Sequence, residues 1–357
     1  MKYKLSINSS RSKLSYVLFA FVVILSGCSQ PNRDGSVADD TIDFEQVGMI
    51  GPMSLPINMN VKGDTLYVSV FHGDSLLTIY HEPTGEYIRS TILRGNGPGE
   101  MQAPIQPMFV DDKVYVFSRP LMTMFKSDIK HIDKMEKIGT GPVVLSNIFA
   151  IGDNRFVGSM SAFGADEKTK LERYAMLDDS LNVMYTFGRY PSAGPNERAD
   201  DADALSHFHQ TNNVLKYNDS ILIAVGCRDI SFYALGDDGK YTCRDIVIVC
   251  PYDYDVEGAT EIISARTRLR DGYPRNISDA VLYDGKIILA IYAGTSPSSE
   301  DNIYFEIRDG ETGELIRRLT PNCEVTTPFA INDKGEIIAV KNLEDGMAIM
   351  RSKPITD

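Results

Sequence analysis

Short runs of aliphatic, β-branched and aromatic residues recur along most of the chain, each entered through an Asp-, Asn- or Gly-rich turn. The turn and the run after it repeat at 62–70 (KGDTLYVSV), 111–118 (DDKVYVFS), 152–160 (GDNRFVGSM), 218–225 (NDSILIAV), 284–292 (DGKIILAIY) and 333–340 (DKGEIIAV). A second apolar stretch precedes each turn, as at Ile57 to Val61, Pro107 to Val110 and Pro328 to Ile331. Strand, tight turn, strand is a hairpin, because such turn residues tolerate the left-handed backbone that short hairpin loops require. Further strands are expected at Leu76 to Tyr80, Phe232 to Leu235 and Ile303 to Ile307. Second hairpins form around Thr84-Gly85-Glu86 and Glu311 to Glu314. Six units of about four strands each follow from this pattern.

A separate marker has the same period. Gly-Pro dipeptides stand at Gly51-Pro52, Gly97-Pro98, Gly141-Pro142 and Gly194-Pro195, separated by 46, 44 and 53 residues. Those separations suit a four-stranded propeller blade of about 40–50 residues. Proline forfeits a ladder hydrogen bond, so it belongs in the segment crossing from one unit to the next. After Asp333 only Glu336 to Lys341 and Met347 to Met350 remain as strand candidates, which leaves the sixth unit one strand short. Residues Ile42 to Ile50 have no hairpin partner and supply the missing outer strand. The fold class is therefore all-β: a six-bladed β-propeller over 42–353, its ring closed by an amino-terminal strand. Val256 to Arg270 reads as one short helical insertion ahead of blade five.

The amino terminus changes the picture. Lys2, Lys4, Arg11 and Lys13 precede an apolar run from Leu14 to Leu25 that is too short to span a bilayer, which takes about 20 residues. Leu25-Ser26-Gly27-Cys28 follows and resembles the lipobox of bacterial lipoproteins. That resemblance implies a signal peptide over 1–27 and lipidation of Cys28. Residues 28–41 are polar, with Pro, Gly and Asp, which is the composition of a flexible tether. Without the leader the chain has 32 basic and 49 acidic residues, a formal charge of −17. Such a balance speaks against nucleic acid as a partner.

Lys62 to Ser90 followed by Arg94-Gly-Asn-Gly-Pro-Gly-Glu100-Met101 resembles the TolB-like six-bladed β-propeller lipoproteins, and the Gly-x-Gly-Pro-Gly-Glu loop also recurs in NHL-type propellers. The resemblance implies a propeller on a lipid anchor in the cell envelope, and Ser29 after Cys28, which does not look like an inner-membrane retention signal, points to the outer membrane. It implies no activity and no site. Triplets of Asp, Ser or Thr and an aliphatic residue at 40–42, 64–66, 74–76, 179–181 and 219–221 look like O-glycosylation acceptors of the same bacteria, and they are also ordinary turn sequences.

Candidate chemistry is sparse. The chain has no Gly-x-Ser-x-Gly elbow, His-Glu-x-x-His or Walker loop, and its expected role is non-catalytic, with no cofactor. Asp201, Asp203, His207 and His209 form the best metal candidate, since histidines two apart on a strand share a face. Arg266, Arg268, Arg270, Tyr273 and Arg275 could present guanidinium forks to an acidic ligand, or form a solvated helix face. Arg94 to Glu100 follows a strand as a phosphate cradle would, but the Gly-Pro period explains it as an inter-blade turn. Cys227, Cys243, Cys250 and Cys323 fit free thiols or one disulfide. The long segments Pro191 to Gln210, Tyr252 to Arg275 and Ala293 to Asp301 are where specificity is expected, because function gathers on loops over a rigid scaffold. The leading expectation is a binding or interaction module for an envelope protein, peptide or glycan. A hydrolase or lyase with a channel-end site, and a purely structural envelope component, are the alternatives.

Overall fold

In the computed structural model the described residues are 39–51, 54–97, 99–142, 145–161, 172–191, 210–250, 275–292 and 303–355, with the backbone of 254–257 and 266–269. The chain enters through β1 (Asp39–Ile42) and β2 (Phe44–Ile50). Blade one is β3 (Pro56–Lys62), β4 (Thr65–Val70), β5 (Ser75–His81) and β6 (Glu86–Leu93). Blade two is β7 (Ile105–Val110), β8 (Lys113–Ser118), β9 (Thr123–Asp128) and β10 (Glu136–Thr140). Blade three comprises β11 (Leu145–Gly152), β12 (Arg155–Met160), β13 (Glu172–Leu177) and β14 (Val183–Arg189). Blade four comprises β15 (Thr211–Lys216), β16 (Ile221–Gly226), β17 (Asp229–Leu235) and β18 (Tyr241–Ile248). A hairpin of β19 (Tyr254–Glu257) and β20 (Arg266–Leu269) precedes blade five, which is β21 (Asn276–Tyr283), β22 (Lys286–Tyr292), β23 (Ile303–Asp309) and β24 (Leu315–Pro321). Blade six is β25 (Thr326–Ile331), β26 (Glu336–Leu343) and β27 (Gly346–Pro354) with β2 as its fourth strand. The six-bladed propeller expected from the repeats is the fold.

Turn chemistry sets the first hairpin of blades one, two, three and five. Gly63, Asp111, Asn154 and Asp284 all have positive φ, which matches the right-handed twist of the strands they join. The strands behind them are buried on both faces, as in β4, where Leu66 to Val70 are all buried. This explains why those runs read as continuously apolar rather than alternating. The core is correspondingly divided. Among the described residues six apolar clusters occur, one at each junction between neighbouring blades. At the second junction, for example, Tyr115, Phe117 and Met124 meet Phe156, Ala175 and Leu177.

Ring closure is made by β2, which runs antiparallel to β27 from Phe44 opposite Ser352 to Ile50 opposite Met347. Its backbone lies against the β5–β6 turn of blade one. A Cβ on Gly48 would stand 2.6 Å from the Gly85 carbonyl oxygen, and Gly85 itself has φ +65°. The amino-terminal strand also does more than was expected of it. β1 lies parallel to β24, as a fifth strand of blade five, with Asp39 opposite Arg318 and Ile42 opposite Pro321. This strand starts inside the stretch whose composition reads as a tether. Ion pairs hold the two strands down: Arg317 Nε to Asp40 Oδ2 at 2.5 Å, Arg318 to Asp39 at 3.4 Å, Lys353 to Asp43 at 2.6 Å and Arg351 to Glu45 at 3.0 Å. Ile42 is buried with Phe305 of blade five and Ile337 of blade six.

The helical insertion is corrected. In place of the helix expected over Val256 to Arg270, Tyr254–Glu257 and Arg266–Leu269 pair as antiparallel strands, with Glu257 opposite Arg266 and Asp255 opposite Arg268 in the backbone register. Ala, Glu and Arg in that stretch favour a helix, but Ile262, Ile263 and Thr267 are β-branched and lose rotamer freedom in one.

Candidate ligand site at the channel end

The first strand of every blade lines the central channel, and a pocket of about 330 Å³ opens where those six strands begin. Ile57 and Asn58 come from β3, Ile105 and Gln106 from β7, and Asn147 from β11. Asn212 comes from β15, Ser278 and Asp279 from β21, and Thr327 and Pro328 from β25. Arg119, exposed in the turn after β8, stands at the mouth.

Backbone register explains why the lining is polar. Five of the six first strands break register near their starts: at Pro56/Asn58, Leu145/Asn147, Thr211/Asn213, Ile277/Asp279 and Thr326/Ala330. A bulge leaves a backbone group without its ladder partner, and buried backbone groups must be paired. Side chains do this at three of the bulges. Asn147 Oδ1 accepts from Ile148 N at 2.9 Å, Asn213 Oδ1 from Val214 N at 2.9 Å and Asp279 Oδ1 from Ala280 N at 2.8 Å. Their remaining polar atoms reach neighbouring blades. Asn147 Nδ2 donates to Gln106 Oε1 at 2.7 Å, Asn213 Nδ2 to the Ala280 carbonyl at 3.0 Å, and Asn212 Nδ2 to the Ile277 carbonyl at 2.6 Å. Carboxamides from blades one to four thus line the channel, and their hydrogen bonds join blade two to blade three and blade four to blade five.

Asp279 is the one carboxyl among the described residues that line this pocket. Part of its surface faces the bore, yet protein surrounds it, and burial pushes its carboxyl up to about 6 against two amide hydrogen bonds that lower it. Among the described residues no three His, Cys, Asp or Glu side chains gather as metal ligands.

A second polar feature lies off the channel. Arg173 of β13 and Asp229 of β17 pair across the junction of blades three and four, Nη1 to Oδ2 at 2.5 Å and Nη2 to Oδ1 at 3.1 Å, both side chains buried. Ser231 Oγ also donates to Asp229 Oδ2, at 3.0 Å. A Cβ on Gly226 would strike the Arg173 guanidinium, so this glycine makes room for the pair.

The residues singled out in the sequence fall elsewhere. Arg266 and Arg268 lie on β20, and Arg270 and Tyr273 fall outside the described residues, as do Asp201, Asp203, His207, His209 and Cys28. Arg275 is exposed just before β21, and its Nη1 donates to the Tyr304 hydroxyl at 3.2 Å. Arg94 to Glu100 is a closed turn between blades one and two, in which Glu100 Oε2 accepts from Gly97 N at 2.8 Å and Arg94 Nε donates to the Gly73 carbonyl at 2.8 Å. A Cβ on Gly95 would strike the Glu100 carboxylate. The four described cysteines are free thiols, Cys250 buried, Cys243 exposed, Cys227 and Cys323 half-buried. Of the glycosylation triplets, Thr41, Ser180 and Ser220 are exposed.

The carboxamide lining was missed, although it left a signal. Asn58, Gln106 and Asp279 each stand five residues ahead of a turn residue, Gly63, Asp111 and Asp284. Aligning the six units on their turns brings these polar positions into one column.

No curated protein sequence matches the chain. Solved structures do. An exported protein (so described) of Bacteroides fragilis is 11% identical, covers 90% of this chain and 97% of its own, and gives a TM-score of 0.55. A luciferin-regenerating enzyme is 10% identical, with 88% of this chain and 96% of its own covered, at a TM-score of 0.52. At such identities the likeness is one of fold. The sequence profile of the TolB-like 6-blade propeller-like family matches residues 41–340. With that match over most of the chain and six blades in place, the chain belongs to the TolB-like six-bladed propeller family.

Proposed function

We propose that this chain is a lipid-anchored propeller of the cell envelope that binds its ligand without transforming it, and that a sugar end-group of a glycan enters the channel where the six first strands begin. One observation carries the reading: every blade contributes to a pocket of about 330 Å³ whose polar lining is Asn58, Gln106, Asn147, Asn212, Ser278 and Thr327, with Asp279 and Arg119. The size is at the lower end of ligand pockets, about 300–1,000 Å³. Carboxamides donate and accept at once, which suits hydroxyl groups that do the same. Arg119 adds a fork for an acidic substituent. The basic leader, the apolar run and Cys28 support export and lipidation, and the family membership is compatible with an envelope location.

Asp279 is the one observation favouring catalysis, since a carboxyl poised near neutral pH can serve as an acid or base. Both its oxygens are engaged by backbone amides, however, and the only other ionisable lining residue among those described is Arg119. Binding is the better-supported role. The test is an array of bacterial and host glycans probed with the full-length chain, Arg119→Ala and Asn147→Ala. Retention of defined glycans that both variants weaken is expected. Equal retention by all three proteins, or cleavage of the retained glycan, would overturn the reading.

A further inference from the structure

The channel pocket is polar all round, yet among its lining residues only Arg119 and Asp279 carry charge. They come from blades two and five, three steps apart in a ring of six, and so from opposite walls of the bore. Among the described residues neither forms an ion pair, with the other or with any third side chain.

Hydrogen bonding divides the pocket in the same way. On blade two, Gln106 Oε1 is taken by Asn147 Nδ2 at 2.7 Å, which leaves Gln106 Nε2 as a donor on the same blade as the exposed Arg119 guanidinium. On blade one, Asn58 Oδ1 accepts from Asn60 Nδ2 at 2.5 Å and leaves the Asn58 amide nitrogen to donate. Blade five offers the opposite. Ser278 Oγ spends its one hydrogen on the Ala290 carbonyl at 3.1 Å and keeps only lone pairs. Asp279 accepts from Ala280 N on one oxygen and from Phe329 N on the other, where a carboxylate has room for about four such bonds. No described side chain donates the rest, and no charged or titratable group of the flanking strands β15, β22 and β25 acts on it. A carboxylate closed in by protein without a counter-charge is costly, and the open side of this one is the bore.

We propose that Asp279 sets the specificity of the channel and that the end-group it admits is a zwitterion, with a free primary ammonium against Asp279 and Ser278 and a carboxylate against Arg119 and Gln106. This inference rests on the reading that a sugar end-group enters the channel, and it narrows that group to an acidic amino sugar. An ammonium has three donors and no acceptor, so it matches a wall of lone pairs, and a carboxylate matches a guanidinium fork. Acetylating the amine removes its charge, so the channel separates a free amine from its acetamide. The ammonium requires Asp279 to be ionised. Burial places that carboxyl's titration at about 6, so affinity is full above that value and is lost as pH falls through it.

The experiment titrates the full-length chain with three sugars by isothermal calorimetry. Muramic acid carries both charges, N-acetylmuramic acid keeps only the acid, and glucosamine keeps only the amine. At pH 7 muramic acid should bind at least tenfold more tightly than either of the others. Between pH 7 and pH 5 its affinity should fall about tenfold, as a carboxyl titrating near 6 loses its charge, while that of N-acetylmuramic acid stays level. Asp279→Asn should bind the two muramic acids alike at both pH values. Equal affinity of the parent for the two muramic acids, or a muramic acid affinity that is flat with pH, would overturn the proposal. So would failure of all three sugars to bind. Glycans retained on the array would in that event leave the broader reading of the channel standing, and an array without retained glycans would remove both. The pH series uses the unaltered protein, so a variant that fails to fold cannot decide the matter.

Discussion

Asp279 and Phe329 stand on the first strands of neighbouring blades, and the Phe329 amide donates to Asp279 Oδ2 at 3.3 Å. The carboxyl also accepts from Ala280 N at 2.8 Å, so blades five and six share one titratable group on the channel wall. Burial outweighs both amides and raises it from 3.8 to about 6. A folded-state value above the unfolded one means that the folded chain binds the proton more tightly between about 4 and 6, and stability falls as pH rises through that window. Two units amount to on the order of 3 kcal/mol. Asp279→Asn is neutral at every pH. Its stability relative to the parent, from urea midpoints, should therefore rise by that order between pH 4 and pH 7. A difference that stays flat with pH would show that the carboxyl titrates at its ordinary value.

The buried Arg173–Asp229 pair predicts a thermodynamic cycle. Removing one partner strands the other's charge away from water, which costs about 3–5 kcal/mol, whereas replacing both by apolar residues of similar size is close to neutral. Arg173→Met and Asp229→Leu should each be strongly destabilising, and the double variant should recover most of the loss. Calorimetric unfolding of the four proteins checks it; additive losses would place the energy in packing rather than in charge.

The amino-terminal strands should be unequal in weight. Ile42 is 6% exposed, and truncating a buried isoleucine to alanine costs about 2–5 kcal/mol. Ile42→Ala is expected to fall within that range. Removal of residues 1–51 deletes β2 as well and bares the β27 edge, and such edges pair with other chains. That truncation should aggregate, as read by size-exclusion chromatography. The ion pairs of β1 lie at the surface, partly exposed, and such pairs are worth about 0–1 kcal/mol each. Salt up to 1 M should therefore shift the unfolding midpoint little.

Gly85 offers a local test of closure. Its φ of +65° and its approach to Val47 and Gly48 leave no place for a side chain. Gly85→Ala should cost more than the roughly 1 kcal/mol of a strained backbone alone, because β2 must also move. Gly63 has φ +55° but open space around it, so Gly63→Ala isolates the backbone part. Equal losses for the two would mean that β2 does not bear on that turn.

Cys28→Ser is expected to move the chain from the membrane to the soluble fraction and to abolish incorporation of labelled fatty acid. An unchanged fractionation would remove the lipid anchor from the proposed function.

The blade count and the closing strand were legible because turn residues and apolar runs are local signals that recur six times. β1 was not legible. Asp39-Asp40-Thr41-Ile42 has the composition of a linker, and it is a strand through its pairing with β24, far along the chain, and the burial of Ile42 there. The hairpin at β19 and β20 was misread for a related reason, since helix-favouring Ala, Glu and Arg carry no record of the pairing of Glu257 with Arg266. Asn147, Asn213 and Asp279 gave no motif of their own. Their common role comes from a bulge at the same place in different blades, which is a property of the backbone.

The seam between β2 and β27 also has a bearing on time. Lys353 and Asp43, which meet across it, are 310 residues apart in sequence. Synthesis delivers the amino terminus first, so β2 emerges with nothing to pair against and waits for the last strand to arrive. Contacts this distant in sequence form late and slow the approach to the native state. A chain cut short anywhere before Gly346 lacks β27 and has no means of sealing the circle, so closure of the ring reports that synthesis has passed the last strand of blade six.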